Sequence, residues 1–247
     1  MTHIVVDEAQ DFSYMHFMTL KKVTNTMTIL GDKDQAIFLG YGQQSWENVR
    51  NKFLNDTDDN LLSINTSYRS TKEIIDVANV VLTNQFPNRK AITPLNRSGP
   101  DVSIEEVQNG SELIHNLSLT MKDWVQKYKR IAIIHKDEKK AKKLAEYLNQ
   151  VIDKEVVYIE PDADVMNKKV SVLASYNSKG MEFDAVILVN VNEESFPKDD
   201  FHARLLYVLL TRAQKEIKAF YQDKPSELLQ GLVEKTPELV AEFDDIL

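Results

Sequence analysis

Two adjacent carboxylates follow a short apolar run near the start of the sequence. Asp7 and Glu8 come directly after Ile4–Val6 and open the string Asp-Glu-Ala-Gln-Asp, which ends at Asp11. In open α/β sheets, ligands bind at the carboxyl ends of the strands, where this pair would lie. One carboxylate there could hold a hydrated Mg²⁺ on a nucleotide, and the other could orient and deprotonate an attacking water. An ordinary acidic turn would also show Asp-Glu, but the full string favours the nucleotide chemistry.

A glutamine and an arginine follow the next two strand candidates. Gln35 lies in a glycine turn after Met27–Leu30, and its amide could accept from water and donate to a terminal phosphate. Arg69 follows Leu61–Ile64 at the start of a helical segment, and the planar fork of an arginine suits phosphate oxygens. Tyr68 offers a flat ring to a nucleobase. The plain alternatives are a polar turn and an arginine paired with a surface carboxylate.

A polar loop separates two later apolar runs, Val170–Leu173 and Ala185–Val191. In it, Gly180 permits a close approach of the backbone to a ligand, while Lys179 and Glu182 could face a phosphate and a sugar hydroxyl.

An almost wholly apolar helix, predicted over Phe201–Ala213, carries Arg212 near its end. A core helix that ends in a solvated arginine would look the same.

These residues need a scaffold, and the sequence predicts an α/β fold with a parallel sheet covered by helices. Short β-branched runs alternate with segments of helical period, as parallel sheets require. The strand candidates are Ile4–Val6, Met27–Leu30, Leu61–Ile64, Val102–Ile104, Ile131–Ile134, Val156–Ile159, Val170–Leu173 and Ala185–Val191. The helix candidates are Tyr14–Val23, Ser70–Leu82, Ser111–Lys127, Glu138–Ile152 and Phe201–Ala213.

Composition limits the class of protein. The 247 residues are 43% hydrophobic, which is enough for a core, and a formal net charge of −8 argues against a surface that binds nucleic acid all over. There is no cysteine, and the five histidines show no metal-ligand spacing, so we expect no zinc site. Without a leader or an apolar run of about 18 residues, we expect a cytoplasmic location and no membrane association.

In order and local context, these motifs resemble those of UvrD/Rep-type superfamily 1 DNA helicases, from Asp7 to Arg212 over essentially the whole chain. The resemblance implies RecA-like, P-loop NTPase-type lobes: residues 1–62 would end the first lobe, and residues 63–247 would form the second lobe with an acidic tail. It also implies the C-terminal part of an ATP-dependent DNA helicase or translocase, which contributes half of an ATP site between the lobes.

The same resemblance implies roles for the site residues. Asp7 and Glu8 would be the Mg²⁺ ligand and the water-activating base, and Gln35 the γ-phosphate sensor. Arg69 and Arg212 would reach the γ-phosphate from the second lobe.

Four further positions match the nucleotide and coupling motifs of the family. Tyr68 would stack on adenine, Glu182 would meet the ribose, and Lys179 and Gly180 would lie in the loop that couples nucleotide to DNA.

Departures from the family pattern are as informative. No Gly-x-x-x-x-Gly-Lys-Ser/Thr loop, which cradles the phosphates, occurs in the sequence. The chain also opens directly with a strand. We therefore expect a C-terminal piece that lacks the rest of the N-terminal lobe, with its phosphate-binding loop, and is inactive alone.

Four positions that contact DNA in the family carry other residue types in this sequence. Gly40 and Tyr41 stand where the family has a tryptophan and an arginine, and Ala174 and Tyr176 stand where it has a threonine and a histidine. Tyr176 and Ser178 remain candidates for contact with nucleic acid.

A basic cluster gives two more candidates, Lys139 and Lys140, which lie in a segment rich in lysine. Clustered cations release phosphate counterions on binding and could follow a DNA backbone, although a solvated helix face is the plain alternative.

Two other functions stay open. Arg69 and Lys179 are too close in sequence to enclose a large accessory domain, which resembles the HelD-like branch, whose members use ATP to remodel RNA polymerase. The other alternative is a non-catalytic module that docks a protein or DNA.

Overall fold

The computed structural model describes residues 3–38, 46–53, 60–152, 156–161 and 168–233. Its first part is a small layer of two parallel strands, β1 (Ile4–Val6) and β2 (Met27–Ile29), connected by helix α1 (Tyr14–Val23). Helix α2 (Trp46–Phe53) follows. Phe17, Val49 and Phe53 are buried together beneath β1 and form a core of their own. These strands bring the ends of the first two motifs to neighbouring positions.

A six-stranded parallel sheet forms the centre of the larger part. After the short parallel pair β3 (Thr66–Ser67) and β4 (Thr93–Pro94), its strands in chain order are β5 (Ser103–Glu106), β6 (Ile131–His135), β7 (Val156–Tyr158), β8 (Val170–Ala174), β9 (Phe183–Val189) and β10 (Ala213–Tyr221). In space the order is β5-β10-β9-β6-β8-β7, and each neighbouring pair is parallel. The predicted α/β fold is confirmed.

Helices cover both faces of this sheet, so its central strands are apolar on both sides. Helices α3 (Lys72–Gln85) and α6 (Asp200–Leu210) share one core with the sheet, and α4 (Gly110–Lys127) and α5 (Glu138–Val151) share the other. Alternate residues of a strand serve the two cores. In β9, for example, Leu188 packs against the first pair of helices and Ile187 against the second. Within the described ranges, no helix combines the length and apolar composition that crossing a bilayer requires.

One predicted strand was wrong, and one predicted helix was too long at its C-terminal end. Residues 61–64 are not a strand, and Leu62 and Ile64 are each 86% exposed, because no described element covers this apolar run. The helix predicted over Phe201–Ala213 ends at Leu210, and the chain turns at once into β10, which the sequence analysis missed.

Charged residues hid β10 from the hydrophobic pattern. Lys215 pairs with Asp184, Lys218 pairs with Glu105, and Glu216 accepts from the indole of Trp124. The charged residues, which are typical of an exposed segment, thus have partners on neighbouring elements of the fold.

Removing a core side chain should destabilise the sheet. Leu188→Ala should lower the free energy of unfolding by about 2–5 kcal/mol, because a cavity remains in a fully packed layer. Leu119→Ala, at a position of α4 that is 51% exposed, should change it by less than about 0.5 kcal/mol. Urea unfolding followed by circular dichroism measures both, and equal losses would contradict the assigned core.

Candidate functional site

The carboxylates of the acidic string lie at the carboxyl end of β1, as predicted. Asp7 Oδ1 accepts a hydrogen bond from the backbone N–H of Glu8 at 2.8 Å. Glu8 has φ 50° and ψ 36°, a left-handed conformation that few residues other than glycine adopt. Both side chains are exposed. The strand therefore ends in a sharp turn that presents two adjacent acids to solvent.

Gln35 and Arg212 are in direct contact, although they lie far apart in sequence. Gln35 belongs to a single 3-10 turn, Lys33–Gln35, and its Oε1 accepts from Arg212 Nη2 at 3.1 Å. The side chain of Arg212 is buried, and its Nε and Nη1 donate to the carbonyls of Val208 and Met181 at 3.0 and 3.3 Å. The end of β2 and the end of α6 thus meet through a glutamine and an arginine.

Electrostatic coupling extends this contact to other predicted site residues. Burial lowers the pKa of Arg212, and the positive charge of Arg69 lowers it further. The carboxylates of Glu8 and Glu182 act in the opposite direction. Three charged groups, one of them from the first part of the chain, therefore act on Arg212.

Arg69 and Glu182 form an ion pair. Arg69 Nη2 lies 2.8 Å from Glu182 Oε1, and Gln214 Nε2 donates to the other carboxylate oxygen at 2.7 Å. Tyr68, next to Arg69 in the chain, is 67% exposed. The structure thus places the predicted phosphate-binding arginine beside the predicted ribose-binding carboxylate, with an accessible aromatic ring adjacent.

Lys179 reaches across to the acidic string. Its Nζ donates to both carboxylate oxygens of Asp11 and to the backbone carbonyl of Gln35, the latter at 3.1 Å, and it lies 4.8 Å from the ring centroid of Phe38. Gly180 has φ +76°, and a Cβ there would meet no atom of the described chain within 4 Å. This left-handed backbone conformation favours glycine, and the open space beside it leaves room for the close approach of a ligand that the sequence predicts.

A buried charge network holds the glutamine turn against the helices of the larger part. Asp34 accepts from Arg89 Nε at 2.9 Å and from Arg204 Nη1 at 3.4 Å, and Lys33 Nζ lies 2.9 Å away. Burial raises the pKa of Asp34, but the hydrogen bond from Lys33 and the charge of Arg89 outweigh it and hold that pKa below its ordinary value. Arg204 Nη1 also donates to the carbonyl of Lys33 at 2.7 Å.

The candidates for contact with nucleic acid lie in different surroundings. Tyr176 is 46% exposed and stacks on Phe201 with a centroid separation of 6.3 Å. Lys139 and Lys140 are exposed in the first turn of α5. Ser178, however, is fully buried, and its hydroxyl donates to the carbonyl of Ser175 at 2.6 Å, so it is not available at the surface.

Several contact residues of this site were missed in the sequence. Gln10 stood inside the acidic string but received no role, although a glutamine between acids is itself a signal. Arg204 offered another, because it lies on α6 among apolar residues, eight positions before Arg212. Asp34 and Arg89 gave no such signal, since both stand in polar turns and loops.

The carboxylates at the end of β1 fit a magnesium ion that is bound with a nucleotide. Mg²⁺ in such sites takes one or two protein carboxylates and completes its shell with waters and phosphate oxygens. Exposed Asp7, beside Glu8, meets that requirement. Among the described residues, no group of three or more His, Cys, Asp or Glu side chains forms a closed metal cage.

Comparison of the sequence with models of known protein families identifies the family of this chain. Two family models, both described as UvrD-like helicase C-terminal domain, match residues 62–159 and 169–217. The chain belongs to the UvrD-like helicase family. This confirms the resemblance to superfamily 1 UvrD/Rep-type helicases, whereas nothing found identifies the HelD-like branch.

Relatives of this UvrD-like helicase chain include longer proteins. A probable DNA helicase II homolog of Mycoplasma capricolum is 33% identical over 148 residues, covering 54% of this chain and 19% of that protein. A probable DNA helicase of Mycoplasma pneumoniae is 25% identical over an alignment of 266 residues, covering 94% of this chain and 47% of that protein. The chain thus spans less than half the length of these relatives.

A solved structure shares the fold of this UvrD-like helicase chain. The C-terminal domain of a possible DNA helicase from Lactobacillus plantarum superposes with a TM-score of 0.54 at 26% identity, covering 68% of this chain and 95% of that one.

Breaking the Asp34 network should destabilise the protein. Asp34→Asn should lower the free energy of unfolding at neutral pH by on the order of 3 kcal/mol, because two buried guanidinium groups lose their counterion. Asp76→Asn, in an exposed pair with Lys72, should cost about 0–1 kcal/mol. Urea unfolding of the two variants tests this, and equal small losses would contradict the role of the network.

The cost of Asp34→Asn should depend on pH. Because the folded-state pKa of Asp34 lies below its ordinary value of 3.8, the carboxylate stabilises the fold fully above that pH. As pH falls through the folded-state pKa, the stabilisation is lost and the difference between parent and variant should shrink. A difference that grows on acidification would contradict this assignment.

Proposed function

We propose that this UvrD-like helicase chain supplies half of the ATP site of an ATP-dependent DNA helicase or translocase. Residues 1–62 would be the end of the first RecA-like lobe and residues 63–247 the second. The contact between Gln35 and Arg212 carries the proposal, because it joins the two parts at the place where both were predicted to meet the γ-phosphate.

The geometry supports a division of labour around one terminal phosphate. Asp7 is the residue that would hold Mg²⁺, and Glu8 beside it would orient the attacking water and take its proton. Arg212 and Arg69 carry positive charge that would stabilise the negative charge developing on the transferred phosphoryl group. Bound ATP with Mg²⁺ supplies the phosphoanhydride bond that is cleaved.

Arg212 is buried and held in one position by hydrogen bonds. Its guanidinium is fixed by Val208, Met181 and Gln35 before any ligand arrives, so little reorganisation is needed during the reaction. Gln35 touches the same guanidinium and could therefore sense the terminal phosphate, as the family resemblance implies.

Two predicted nucleotide ligands need a local rearrangement in this proposal. Glu182 is paired with Arg69, and Lys179 is paired with Asp11. A ribose or phosphate that approaches these side chains must exchange with the present partners. Tyr68 is accessible in its present position and would take the adenine ring.

The phosphate-binding loop has to come from outside these 247 residues. Since the sequence contains no Gly-x-x-x-x-Gly-Lys-Ser/Thr string, the chain alone is proposed to be inactive, and a lobe on the same full-length polypeptide would complete the site.

DNA is the proposed partner, because the relatives reported above are named as probable DNA helicases. Tyr176, stacked on Phe201, and the exposed pair Lys139 and Lys140 remain candidate contacts. The alternative of a HelD-like protein acting on RNA polymerase has no support from these relatives.

Glu8→Gln in the full-length polypeptide should separate catalysis from docking. ATP hydrolysis stimulated by single-stranded DNA should fall by about 10²- to 10⁴-fold, because an amide cannot take the proton of the water. Affinity for a fluorescent ATP analogue should change by less than about threefold, since Glu8 acts on the water and not on ground-state ATP.

Glu146→Gln, at an exposed position of α5, is the matched control and should hydrolyse ATP like the parent. Hydrolysis that survives Glu8→Gln unchanged would reject the proposed site and favour the non-catalytic docking module.

A further inference from the structure

Gln10 is a buried amide that connects the acidic string to the glutamine turn. Only 1% of the residue is exposed. Its Nε2 donates to Glu8 Oε2 at 2.5 Å, and its Oε1 accepts from the backbone N–H of Asp32 at 3.0 Å. Both functional atoms of this side chain are thus used, one on a candidate catalytic carboxylate and one on the backbone of the next motif.

The glycine before Asp32 makes this arrangement sterically feasible. A Cβ at Gly31 would lie 2.7 Å from Gln10 Oε1 and 2.9 Å from the ring of Trp46. A larger residue would therefore force the Gln10 amide or the Trp46 ring to shift. The turn accommodates both side chains in their present positions because position 31 is a glycine.

The hydrogen bonds continue from this amide to the later part of the chain. Asp32 Oδ2 accepts from Gln35 Nε2 at 3.1 Å, and Gln35 Oε1 accepts from Arg212 Nη2 at 3.1 Å. A continuous series of contacts therefore runs from Glu8 through Gln10, Asp32 and Gln35 to Arg212.

Holding the two strands together does not require Gln10. β1 and β2 already pair in register from Ile4 with Met27 to Val6 with Ile29, and the N–H of Ala9 donates to the carbonyl of Leu30 at 2.9 Å. The side chain of Gln10 adds a bond to a carboxylate, which the strands do not need for their own pairing.

We propose that Gln10 is a positioning residue that fixes the carboxylate of Glu8 and links it to the series ending at Arg212. The inference rests on the proposed function, in which Glu8 is the base. A neutral amide suits the task because it donates to Glu8 and accepts from Asp32 at the same time. Glu8 also has a strained left-handed backbone conformation. A hydrogen bond from another residue to its carboxylate helps to keep that side chain in a single orientation.

Gln10→Met in the full-length polypeptide keeps the length of the side chain and removes both hydrogen bonds. We expect kcat for ATP hydrolysis to fall by about 10- to 100-fold, because a misplaced base loses near-attack geometry, while KM for ATP stays within about twofold. Gln126→Met, at an exposed position of α4, should leave both parameters unchanged.

Gln10→Glu separates positioning from a packing role. An ionised carboxylate there can still accept from the N–H of Asp32 but cannot donate to Glu8 and repels it, whereas a protonated carboxyl could donate. Ionisation of this buried group should lower the melting temperature relative to the parent, and at the pH values where it does so we expect a loss of kcat at least as large as that of Gln10→Met. The parent kcat at those pH values would show that Gln10 only supports the turn, and would overturn the inference.

A double-mutant cycle tests whether Gln10 acts through Glu8. In a Glu8→Gln background, Gln10→Met should lower the remaining hydrolysis by less than about twofold, because the group it positions is already gone. A full 10- to 100-fold loss in that background would overturn the inference.

The same experiments distinguish this inference from the proposed function. Normal kcat in Gln10→Met, with hydrolysis abolished by Glu8→Gln, rejects the positioning role alone. Normal hydrolysis in Glu8→Gln rejects both.

Discussion

A guanidinium that is taken out of water needs hydrogen-bond partners, and each of the three nitrogens of Arg212 has one only because both parts of the chain contribute. Val208 and Met181 supply carbonyls from the larger part, and Gln35 supplies an amide oxygen from the other. The position of Gln35 is therefore tied to that of α6. Any movement that separates the two parts has to leave a donor of Arg212 without its partner or bring another acceptor to it.

A phosphate oxygen is such an acceptor. The same guanidinium that helps to hold the two parts together could therefore also bind a phosphate. Arg212 is held with a lowered pKa in a buried place, where an anion gains more from it than from a solvated arginine. The Asp34 network supports the same interface from the side, through Arg89 and Arg204. The packing that fixes the glutamine turn thus also fixes the cation that would face the phosphate.

Ion pairs within the protein occupy the other predicted ligands. Arg69 is paired with Glu182, and Lys179 is paired with Asp11. Ligand binding at these residues would exchange one charged partner for another, so that the net gain is smaller than the gross attraction. At the Lys179–Asp11 pair, which joins the two parts, such an exchange would couple nucleotide binding to the contact between them.

The sequence predicted the parallel sheet well because its central strands, such as β6 and β9, are buried on both faces and read as continuous apolar runs. It missed β10 because Lys215, Glu216 and Lys218 obtain their partners only from the folded neighbours. The opposite error occurred at residues 61–64. Their apolar run predicted a strand, but no described element covers it and it forms none.

The candidate site also contains residues that the sequence predicted and contacts that it could not predict. Motif order was enough to propose roles for residues whose chemistry is local, such as Asp7 and Glu8. Pairings like those of Lys179 with Asp11, or of Gln10 with Asp32, depend on the turn geometry and on contacts between distant segments, which no local pattern encodes.

The most direct measurement is a crystal structure of the full-length protein with ADP, Mg²⁺ and aluminium fluoride, which imitates the phosphoryl group in transfer. Arg212 and Arg69 should lie within hydrogen-bond distance of the fluoride, opposite Glu8 and its water, with Asp7 on the metal side. A fluoride group bound with both arginines remote from it would contradict the convergence of the two parts on one phosphate.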